Sequence, residues 1–143
     1  MIAVDSNILV YAKREEAPFH EAALRLLRAL AEGEKPWAIP WPCIYEYLRV
    51  VTHPKVFSPP SDLASTLEDL DHLLASPSLT VLTHGAGHRG IMMRTLLAAA
   101  ATGNLVHDGH IATLLLEHGV DEFLTADRDF HRFAGLRVTV PFA

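Results

Sequence analysis

Short apolar runs alternate along this chain with longer segments in which apolar residues recur at helical spacing. The short runs predict buried β-strands, at residues 2–4, 37–40, 79–82, 122–126 and 137–140. The longer segments predict helices, at residues 8–12, 19–33, 42–51, 63–74, 91–101, 108–118 and 128–133. Strands separated by helices imply right-handed crossovers, and therefore an α/β fold whose parallel sheet is covered on both faces.

Length and composition favour a single domain over residues 1–143, because 143 residues with 50% hydrophobic content can build one real core. The longest apolar run, residues 96–101, is far too short to cross a bilayer, so we expect no membrane association. The N-terminus lacks a basic region, and we expect no signal peptide. Cys43 is the only cysteine, which excludes an internal disulfide and favours a cytoplasmic location.

Aspartates follow two of the predicted strands directly. Asp5 ends the first strand, and Asp127 ends the strand at residues 122–126. Either residue alone is most simply a helix N-cap. If the two strands are neighbours, however, the carboxylates would nearly touch, and such a pair is destabilising unless a proton or a metal lies between them. In a parallel sheet this edge is also where ligands bind, so the pattern predicts a metal site there.

Two further acids complete a candidate site. Glu46 lies in the predicted third helix among large apolar residues, and Asp108 begins the predicted sixth helix. Glu46 could equally lie on a solvated helix face and pair with Arg49 at i, i+3. Oxygen ligands without a cysteine suit Mg²⁺ or Mn²⁺ better than zinc, and such ions activate water and neutralise phosphodiester charge.

The arrangement of these residues resembles a known family. The motifs Asp5-Ser-Asn7, the helical Glu46, Asn104-Leu-Val-His-Asp108 and Leu124-Thr-Ala-Asp127-Arg-Asp-Phe130 are similar to those of the PIN domain. More narrowly, Val51-Thr-His-Pro-Lys-Val-Phe57 and Gly135-Leu-Arg-Val138 resemble segments of the VapC ribonuclease toxins. The resemblance covers nearly the whole chain in order and rough spacing. It implies a three-layer α/β/α PIN-like fold around a central parallel five-stranded sheet of order 3-2-1-4-5.

The same resemblance implies a function and assigns roles to the acids. It implies an Mg²⁺- or Mn²⁺-dependent endoribonuclease that hydrolyses RNA with a metal-activated water, and a cognate VapB-type antitoxin that blocks it. Asp5, Asp108 and Asp127 would hold the metal, and Glu46 would complete a catalytic set of four acids.

Several residues beside the acids also gain expected roles from the resemblance. Asn7 and Thr125 would orient ligands or water. Independently of the resemblance, Arg128 flanks the proposed pocket in sequence and could contact a phosphate. Asp129 is a spare acid that is equally explained as a cap for the short helix after it. Gly109 departs from such toxins, which more often have alanine there, and we expect a glycine at a helix start to cost little stability.

The charge of the chain bears on its partners. A formal net charge of −5 and a pI near 5.9 count mildly against a nucleic-acid substrate. Six basic residues flank the proposed pocket in sequence, although each alone is more simply a solvated charge: Lys13, Arg14, Arg49, Lys55, Arg128 and Arg132. We expect the protein to form a homodimer. Part of the aromatic cluster around the third helix could be exposed and bind the antitoxin or the second copy of the chain; its members are Trp37, Trp41, Tyr45, Tyr47 and Phe57.

Histidines provide an alternative enzymatic interpretation. The pair His107-Asp108 resembles the HD phosphohydrolases, and His84, His88 and His110 could join it as metal ligands. Those enzymes are helical, whereas this chain begins and ends with predicted strands. The simpler interpretation places most of the nine histidines at the surface and at helix ends.

A glycine-rich segment and the fold itself each allow one further interpretation. The segment Gly85-Ala-Gly-His-Arg-Gly90 has the spacing of a dinucleotide-binding fingerprint, but it follows the third predicted strand. The acid about 20 residues further on, Asp108, begins a predicted helix instead of ending a strand. We therefore interpret it as a flexible connection. A PIN-like fold could also serve as a non-catalytic binding module, which the loss of an acid would favour; here all four acids are present.

Overall fold

Five parallel strands form the centre of the molecule, in the order β3-β2-β1-β4-β5, in a computed structural model that describes residues 1–142. The strands are β1 (Ile2–Val4), β2 (Trp37–Pro40), β3 (Leu79–Leu82), β4 (Glu122–Leu124) and β5 (Val138–Thr139). The helices are α1 (Ser6–Lys13), α2 (His20–Glu32), α3 (Trp41–Val51), α4 (Leu63–Leu74), α5 (His88–Ala98) and α6 (Leu105–Glu117), followed by a short 3₁₀ helix (Arg128–Arg132). The predicted α/β fold and strand order are confirmed.

The strand order determines which helices share a face of the sheet. The connections from β1 to β2 and from β2 to β3 move in one direction across the sheet, and the connection from β3 to β4 returns. Because parallel crossovers are right-handed, α1 to α4 cover one face, while α5 and α6 cover the other. The contacts agree, since α1 packs on α2 and α3, and α5 packs on α6.

The buried core lies between these layers. Trp37 and Ile39 of β2, Phe123 of β4 and Leu114 of α6 are all less than 2% exposed. All four residues of β2 are buried, as a strand covered on both faces requires. Within residues 1–142, no helix is long and apolar enough to cross a membrane.

The register of the sheet brings a threonine level with the first aspartate. Val4 of β1 pairs with Leu124 of β4, so Asp5 lies level with Thr125. A backbone hydrogen bond of 3.0 Å from Asp5 N to Leu124 O extends this pairing. Asp127 therefore lies two residues further along the chain than the position level with Asp5. The two aspartates are offset along the sheet edge, and the sequence pattern did not predict this offset.

Some predicted helix boundaries are wrong. Helix α6 begins at Leu105 instead of residue 108, so Asp108 lies within the first turn of the helix. Helix α5 ends at Ala98, three residues before the predicted end, and the turn is made by Ala100 at a φ of 49°. Glycine usually takes such a left-handed position, so an alanine there gives no signal in the sequence that the helix has ended.

Helices α5 and α6 approach closely at Gly109. This residue is buried, and a Cβ atom added to it would lie 2.3 Å from Leu96 Cδ2 and 3.6 Å from Phe133 Cε1. We expected Gly109 to lie at the start of a helix, where a glycine costs little stability, and this expected position is wrong. Gly109 lies inside α6, where the missing side chain makes room for Leu96 of α5.

Candidate active site

A cavity of about 790 Å³ opens at the carboxyl edge of the sheet. Its lining includes Asp5 and Asn7 at the start of α1, Glu46 of α3, Asp108 of α6 and Asp127 after β4. All four acids predicted from the sequence thus face one cavity, although they lie on four different segments. A catalytic carboxylate site needs such a convergence. It disfavours the alternative interpretation as a non-catalytic binding module, which would be expected to lack one of the acids.

Asp5 is held rigidly at the base of the cavity. It is 3% exposed, and its Oδ1 accepts from Ser6 N at 2.6 Å and from the Cys43 thiol at 3.4 Å. Its Oδ2 accepts from the Thr125 hydroxyl at 2.7 Å and from Asn7 Nδ2 at 3.2 Å. Burial raises the pKa of Asp5, and the hydrogen bonds from Thr125 and Ser6 oppose that rise. Asp5 is therefore both the N-cap of α1 and a buried carboxyl of the cavity.

Asn7 and Thr125 connect this carboxyl to the turn after β4. Asn7 Nδ2 donates to Thr125 Oγ1 at 3.1 Å, and Asn7 Oδ1 accepts from Ala126 N at 3.1 Å. Thr125 Oγ1 also accepts from Asp127 N at 2.9 Å. Thr125 is fully buried and does not line the cavity, so any influence on a ligand passes through its neighbours. Together the two side chains position Asp5 and Asp127 relative to each other.

Three carboxylates form the tightest acidic cluster of the site. Oxygen atoms of Asp108, Asp127 and Asp129 all lie within 4.8 Å of one another. Burial, followed by the charges of Asp127, Asp5 and Asp129, raises the pKa of Asp108 to about 6. Asp129, a spare acid in the sequence, thus joins the group, while its backbone N–H donates to Asp127 Oδ1 at 2.9 Å. Asp5 lies outside this closest group but is near enough to affect the Asp108 pKa.

The acidic cluster suits a hard divalent cation. Among the described residues, no lysine or arginine forms an ion pair with Asp108, Asp127 or Asp129. Apart from the nearby His107, their mutual repulsion is therefore relieved by a proton or by a bound cation. Carboxylate oxygens are the donors that Mg²⁺ and Mn²⁺ prefer, so the donor set fits the expected ion.

Glu46 lies at the rim of the cavity, where it pairs with Arg49. Arg49 Nη2 donates to Glu46 Oε1 at 2.6 Å, and Arg49 Nε donates to Oε2 at 3.2 Å. Both side chains are substantially exposed, at 44% for Glu46 and 61% for Arg49. Both expectations for the position of Glu46 therefore hold, since it forms the i, i+3 pair and also lines the cavity.

Of the six flanking basic residues, only Arg49 lines the cavity. Arg128 is exposed at the start of the 3₁₀ helix and lies outside the lining. Lys13 and Arg14 form ion pairs elsewhere, with Asp69 and Glu16 respectively. The expected phosphate contact by Arg128 thus gains no support from the cavity lining, and Arg49 is the better placed cation.

His107 and His110 both line the cavity, whereas the sequence placed them beside an acid only in the alternative HD phosphohydrolase interpretation. His110 meets His84 and His88, whereas His107 stays apart from that group. A parallel sheet also contradicts the helical architecture of HD phosphohydrolases. The helical periodicity of α6 could have indicated that residues 107, 108 and 111 turn toward one region.

The glycine-rich segment after β3 is not arranged for a nucleotide. Glu117 Oε1 accepts a hydrogen bond of 2.6 Å from Gly85 N, so the backbone donor that could contact a phosphate faces a carboxylate. A phosphate would be repelled there. The segment serves as the connection between β3 and α5, as expected.

Comparison with known proteins places the chain in a family. The PIN domain family model matches residues 2–136. Ribonuclease VapC48 of Mycobacterium tuberculosis is 31% identical over 139 residues, which cover 97% of this chain and 96% of that protein. Ribonuclease VapC43 of the same organism is 35% identical over 137 residues, which cover 96% of this chain and 92% of that protein.

Solved structures agree on the fold. The VapBC2 complex of Rickettsia felis, bound to a promoter DNA fragment, contains a chain that aligns with a TM-score of 0.68 at 21% identity, covering 97% of this chain and 98% of that one. VapC20 of Mycobacterium tuberculosis, a toxin that cleaves the sarcin–ricin loop, aligns with a TM-score of 0.66 at 13% identity, covering 92% and 93% of the two chains. The chain therefore belongs to the PIN domain family and, within it, to the VapC ribonucleases.

Proposed function

We propose that this protein is a Mg²⁺- or Mn²⁺-dependent endoribonuclease and the toxin of a VapBC-type toxin–antitoxin pair. The observation that carries the proposal is the convergence of Asp5, Glu46, Asp108 and Asp127 on one cavity, with a tight group of three carboxylates inside it. Two relatives that align over at least nine-tenths of this chain are named ribonucleases. Cleavage of RNA at this cavity is the activity that both observations support.

The metal would be held by Asp108 and Asp127 together with Asp5, and Asp129 is close enough to share the task. When bound, such an ion activates a water molecule and neutralises the charge of the phosphodiester. Without a cation, the raised pKa of Asp108 means that its carboxyl holds a proton more readily than an exposed aspartate does. A cation and that proton therefore compete for the same oxygen atoms.

The remaining residues of the cavity position the substrate and the ligands. Asn7 and Thr125 fix Asp5 by hydrogen bonds, so the carboxyl does not have to reorganise when a ligand arrives. Arg49 could exchange its contact with Glu46 for a phosphate of the RNA, since both side chains are exposed at the rim. Glu46 would then be freed to face the water or the metal.

The partners follow from the same assignment. We propose a VapB-type antitoxin protein that covers the cavity, because the similar VapBC2 structure is a complex of such a pair. Trp41 and Tyr45 on α3 are 41% and 71% exposed beside the cavity, with ring centroids 6.4 Å apart. Exposed aromatic pairs of this kind are typical of protein interfaces. A homodimer and a cytoplasmic location complete the proposal.

The direct test is cleavage of RNA by the purified chain. We expect cleavage in Mg²⁺ or Mn²⁺, loss of cleavage in EDTA, and recovery when the ion is restored. Asp108→Asn should be inactive, whereas Asp71→Asn, an exposed position on α4, should cleave as the wild type does. Robust cleavage by scrupulously metal-free protein, or by Asp108→Asn, would refute the mechanism. Binding of RNA without cleavage under any metal would instead favour a non-catalytic module.

A further inference from the structure

Three histidines that the proposed ribonuclease site does not use converge beside it. His84 follows β3, His88 is the first residue of α5, and His110 lies in α6. Ring nitrogens of the three side chains all lie within 4.8 Å of one another. The His84 and His88 rings stack with centroids 4.0 Å apart, and the His84 and His110 centroids are 5.0 Å apart. Three separate elements thus bring three imidazoles to one point.

A half-buried carboxylate orients one of these imidazoles. The Glu117 side chain is 7% exposed and its Oε2 lies 2.8 Å from His88 Nδ1, while its Oε1 accepts from Gly85 N. Burial raises the pKa of Glu117, but the hydrogen bonds from His88 and Gly85 outweigh it and leave the pKa lowered. In the neutral tautomer whose Nδ1 donates to Glu117, Nε2 of His88 is the ring nitrogen left to bind a ligand. Metal-binding histidines very often have this carboxylate–imidazole arrangement behind them.

We propose that His84, His88 and His110 form a binding site for a zinc-type divalent metal ion, distinct from the acidic cluster. Imidazole nitrogen suits zinc, copper and nickel, whereas Mg²⁺ and Mn²⁺ prefer the oxygen atoms of the neighbouring cluster. Three protein ligands would leave a fourth tetrahedral position for water. The chain would thus carry two metal sites of different chemistry next to each other.

The distances allow such an ion with little movement. His84 Nε2 and His110 Nε2 are 2.7 Å apart, a separation that a hydrogen bond between one donor and one acceptor explains in the absence of metal. Two imidazoles on a tetrahedral zinc ion have their nitrogens about 3.3 Å apart, given zinc–nitrogen bonds of about 2.0–2.1 Å. His84 is exposed and can rotate by this amount. The ion would replace the proton between the two rings.

A bound ion would link three elements around the acidic cavity. The loop after β3, the start of α5 and the middle of α6 would be held together, and α6 also carries Asp108. His110 itself lines the acidic cavity. Zinc should therefore raise the melting temperature of the folded chain, since it binds the assembled site and not the unfolded one.

The experiment is a zinc titration of the full, tag-free chain by calorimetry, carried out in excess Mg²⁺ so that the oxygen site is occupied. We expect one zinc ion per chain and a higher melting temperature. Co²⁺ used as a probe should give the strong visible absorption of a four-coordinate nitrogen site. Absence of zinc binding under these conditions would overturn the proposal, and so would the weak absorption of six-coordinate Co²⁺.

Variants separate this site from scattered surface histidines. The substitutions His84→Ala and His88→Ala should each abolish the one-to-one binding of zinc. His84 is exposed, so His84→Ala should leave the fold intact, as circular dichroism can check. Glu117→Gln should keep the stoichiometry but weaken affinity by about 10- to 100-fold. His72→Ala, an exposed histidine on α4, is the matched control and should bind as the wild type does. Unchanged binding by His84→Ala and His88→Ala would contradict the proposal.

The same titration distinguishes this site from the proposed ribonuclease centre. Asp108→Asn should lose RNA cleavage but retain zinc affinity in excess Mg²⁺. Loss of zinc binding in that variant would mean that the acids supply the ligands, and the histidine site would be refuted. Zinc binding by a chain that proves unable to cleave RNA would leave the histidine site standing.

Discussion

The Thr125 hydroxyl donates a hydrogen bond of 2.7 Å to Asp5 Oδ2 and so joins the residues that directly follow the adjacent strands β1 and β4. This bond is one of four that the side chain of Asp5 receives from other residues' side chains. Because Asp5 is 3% exposed, such donors stand in for the water that a free carboxylate would have. A threonine, and not a second acid, thus provides the nearest side-chain partner of the first catalytic candidate.

Removal of that donor should destabilise the protein. Thr125→Val keeps the shape but leaves Asp5 Oδ2 short of one bond, so we expect a loss of about 1–3 kcal/mol in the free energy of unfolding. Urea denaturation measures this loss. Thr113→Val is the control: Thr113 is also fully buried, but it donates to a helix carbonyl at Gly109, and the cost should be clearly smaller. Equal losses in both variants would contradict a special role for Thr125.

The loss in Thr125→Val should also depend on pH. The pKa of Asp5 is raised in the folded state, chiefly by burial, and the bond from Thr125 opposes that rise. Losing the bond raises the pKa further and adds a penalty at every pH where Asp5 is ionised. As the pH falls and Asp5 becomes protonated in both proteins, the difference in stability should shrink. A difference that grows toward acid pH would refute this explanation.

A substitution at Glu46 should change RNA cleavage while leaving the free energy of unfolding nearly unchanged. Its ion pair with Arg49 is exposed, and such pairs contribute little, so Glu46→Gln should change the free energy of unfolding by less than about 0.5 kcal/mol. If Glu46 belongs to the catalytic set, RNA cleavage should nevertheless fall by at least about tenfold. Cleavage at the wild-type rate would mean that Glu46 is only a solvated residue at the rim.

Local sequence patterns predicted most of the fold. Strands β2 and β3 have the predicted bounds, because each is a short, mostly apolar run with clear ends. The end of α5 was misjudged, since Ala100 adopts a left-handed conformation that its identity does not announce. Strand β5 is limited to Val138–Thr139, two residues within the predicted four, because its pairing with β4 is short.

The site was predictable in its residues but not in its geometry. Motif order identified Asp5, Asp108 and Asp127, which do line one cavity. That Asp129 approaches Asp108 depends on the turn after β4, which Asn7 holds from 119 residues away by accepting a bond from Ala126 N. Such contacts between distant segments leave no periodic signal in the sequence.

The repulsion in the acidic cluster gives a stability prediction with a definite sign. The pKa of Asp108 is raised from 3.8 to about 6, first by burial and then by the charges of Asp127 and Asp5. The ionised group therefore destabilises the metal-free fold fully above about pH 6, and this penalty disappears as the pH falls through that value toward 3.8. In EDTA near neutral pH, Asp108→Asn should be more stable than the wild type, by at most about 2 kcal/mol after solvent screening.

The measurement is the melting temperature of both proteins against pH, with and without Mg²⁺. The advantage of Asp108→Asn should vanish at acid pH. Mg²⁺ should stabilise the wild type, by about 2.7 kcal/mol at one hundred times the dissociation constant, and the variant clearly less. Asp108 lies inside α6 without a side-chain capping bond, so helix capping does not explain such a difference. Equal Mg²⁺ responses would rule out Asp108 as a ligand.

The ends of the RNA products test the nucleophile. Attack by a metal-activated water leaves a 5′-phosphate and a 3′-hydroxyl, and a single 2′-deoxy nucleotide at the cut should still allow cleavage. Mass spectrometry of the fragments identifies the ends. Fragments with 2′,3′-cyclic phosphates would instead indicate acid–base catalysis by histidine, for which His107 and His110, which line the cavity, are the candidates.

The close contact of α5 and α6 at Gly109 gives a prediction about stability. The effect of Gly109→Ala on the free energy of unfolding should change sign when the neighbouring Leu96 is shortened. Alanine at position 109 would gain up to about 1 kcal/mol of helix propensity over glycine. Its Cβ would, however, lie 2.3 Å from Leu96 Cδ2, and displacement of that side chain should cost about 1–3 kcal/mol. Gly109→Ala should therefore destabilise the wild type by about 1 kcal/mol. Gly90→Ala, in α5 with only the flexible tip of Arg94 near, should instead stabilise it.

The double variant decides whether Leu96 is the cause. In the Leu96→Ala background the clash at position 109 is absent, so only the helix propensity of alanine remains. Gly109→Ala should then raise the free energy of unfolding, the opposite of its effect in the wild type, and a double-mutant cycle from urea denaturation gives the coupling. If Gly109→Ala destabilises both backgrounds equally, the contact with Leu96 is not what requires glycine. The more distant Phe133, 3.6 Å from the added Cβ, would then be the residue to vary.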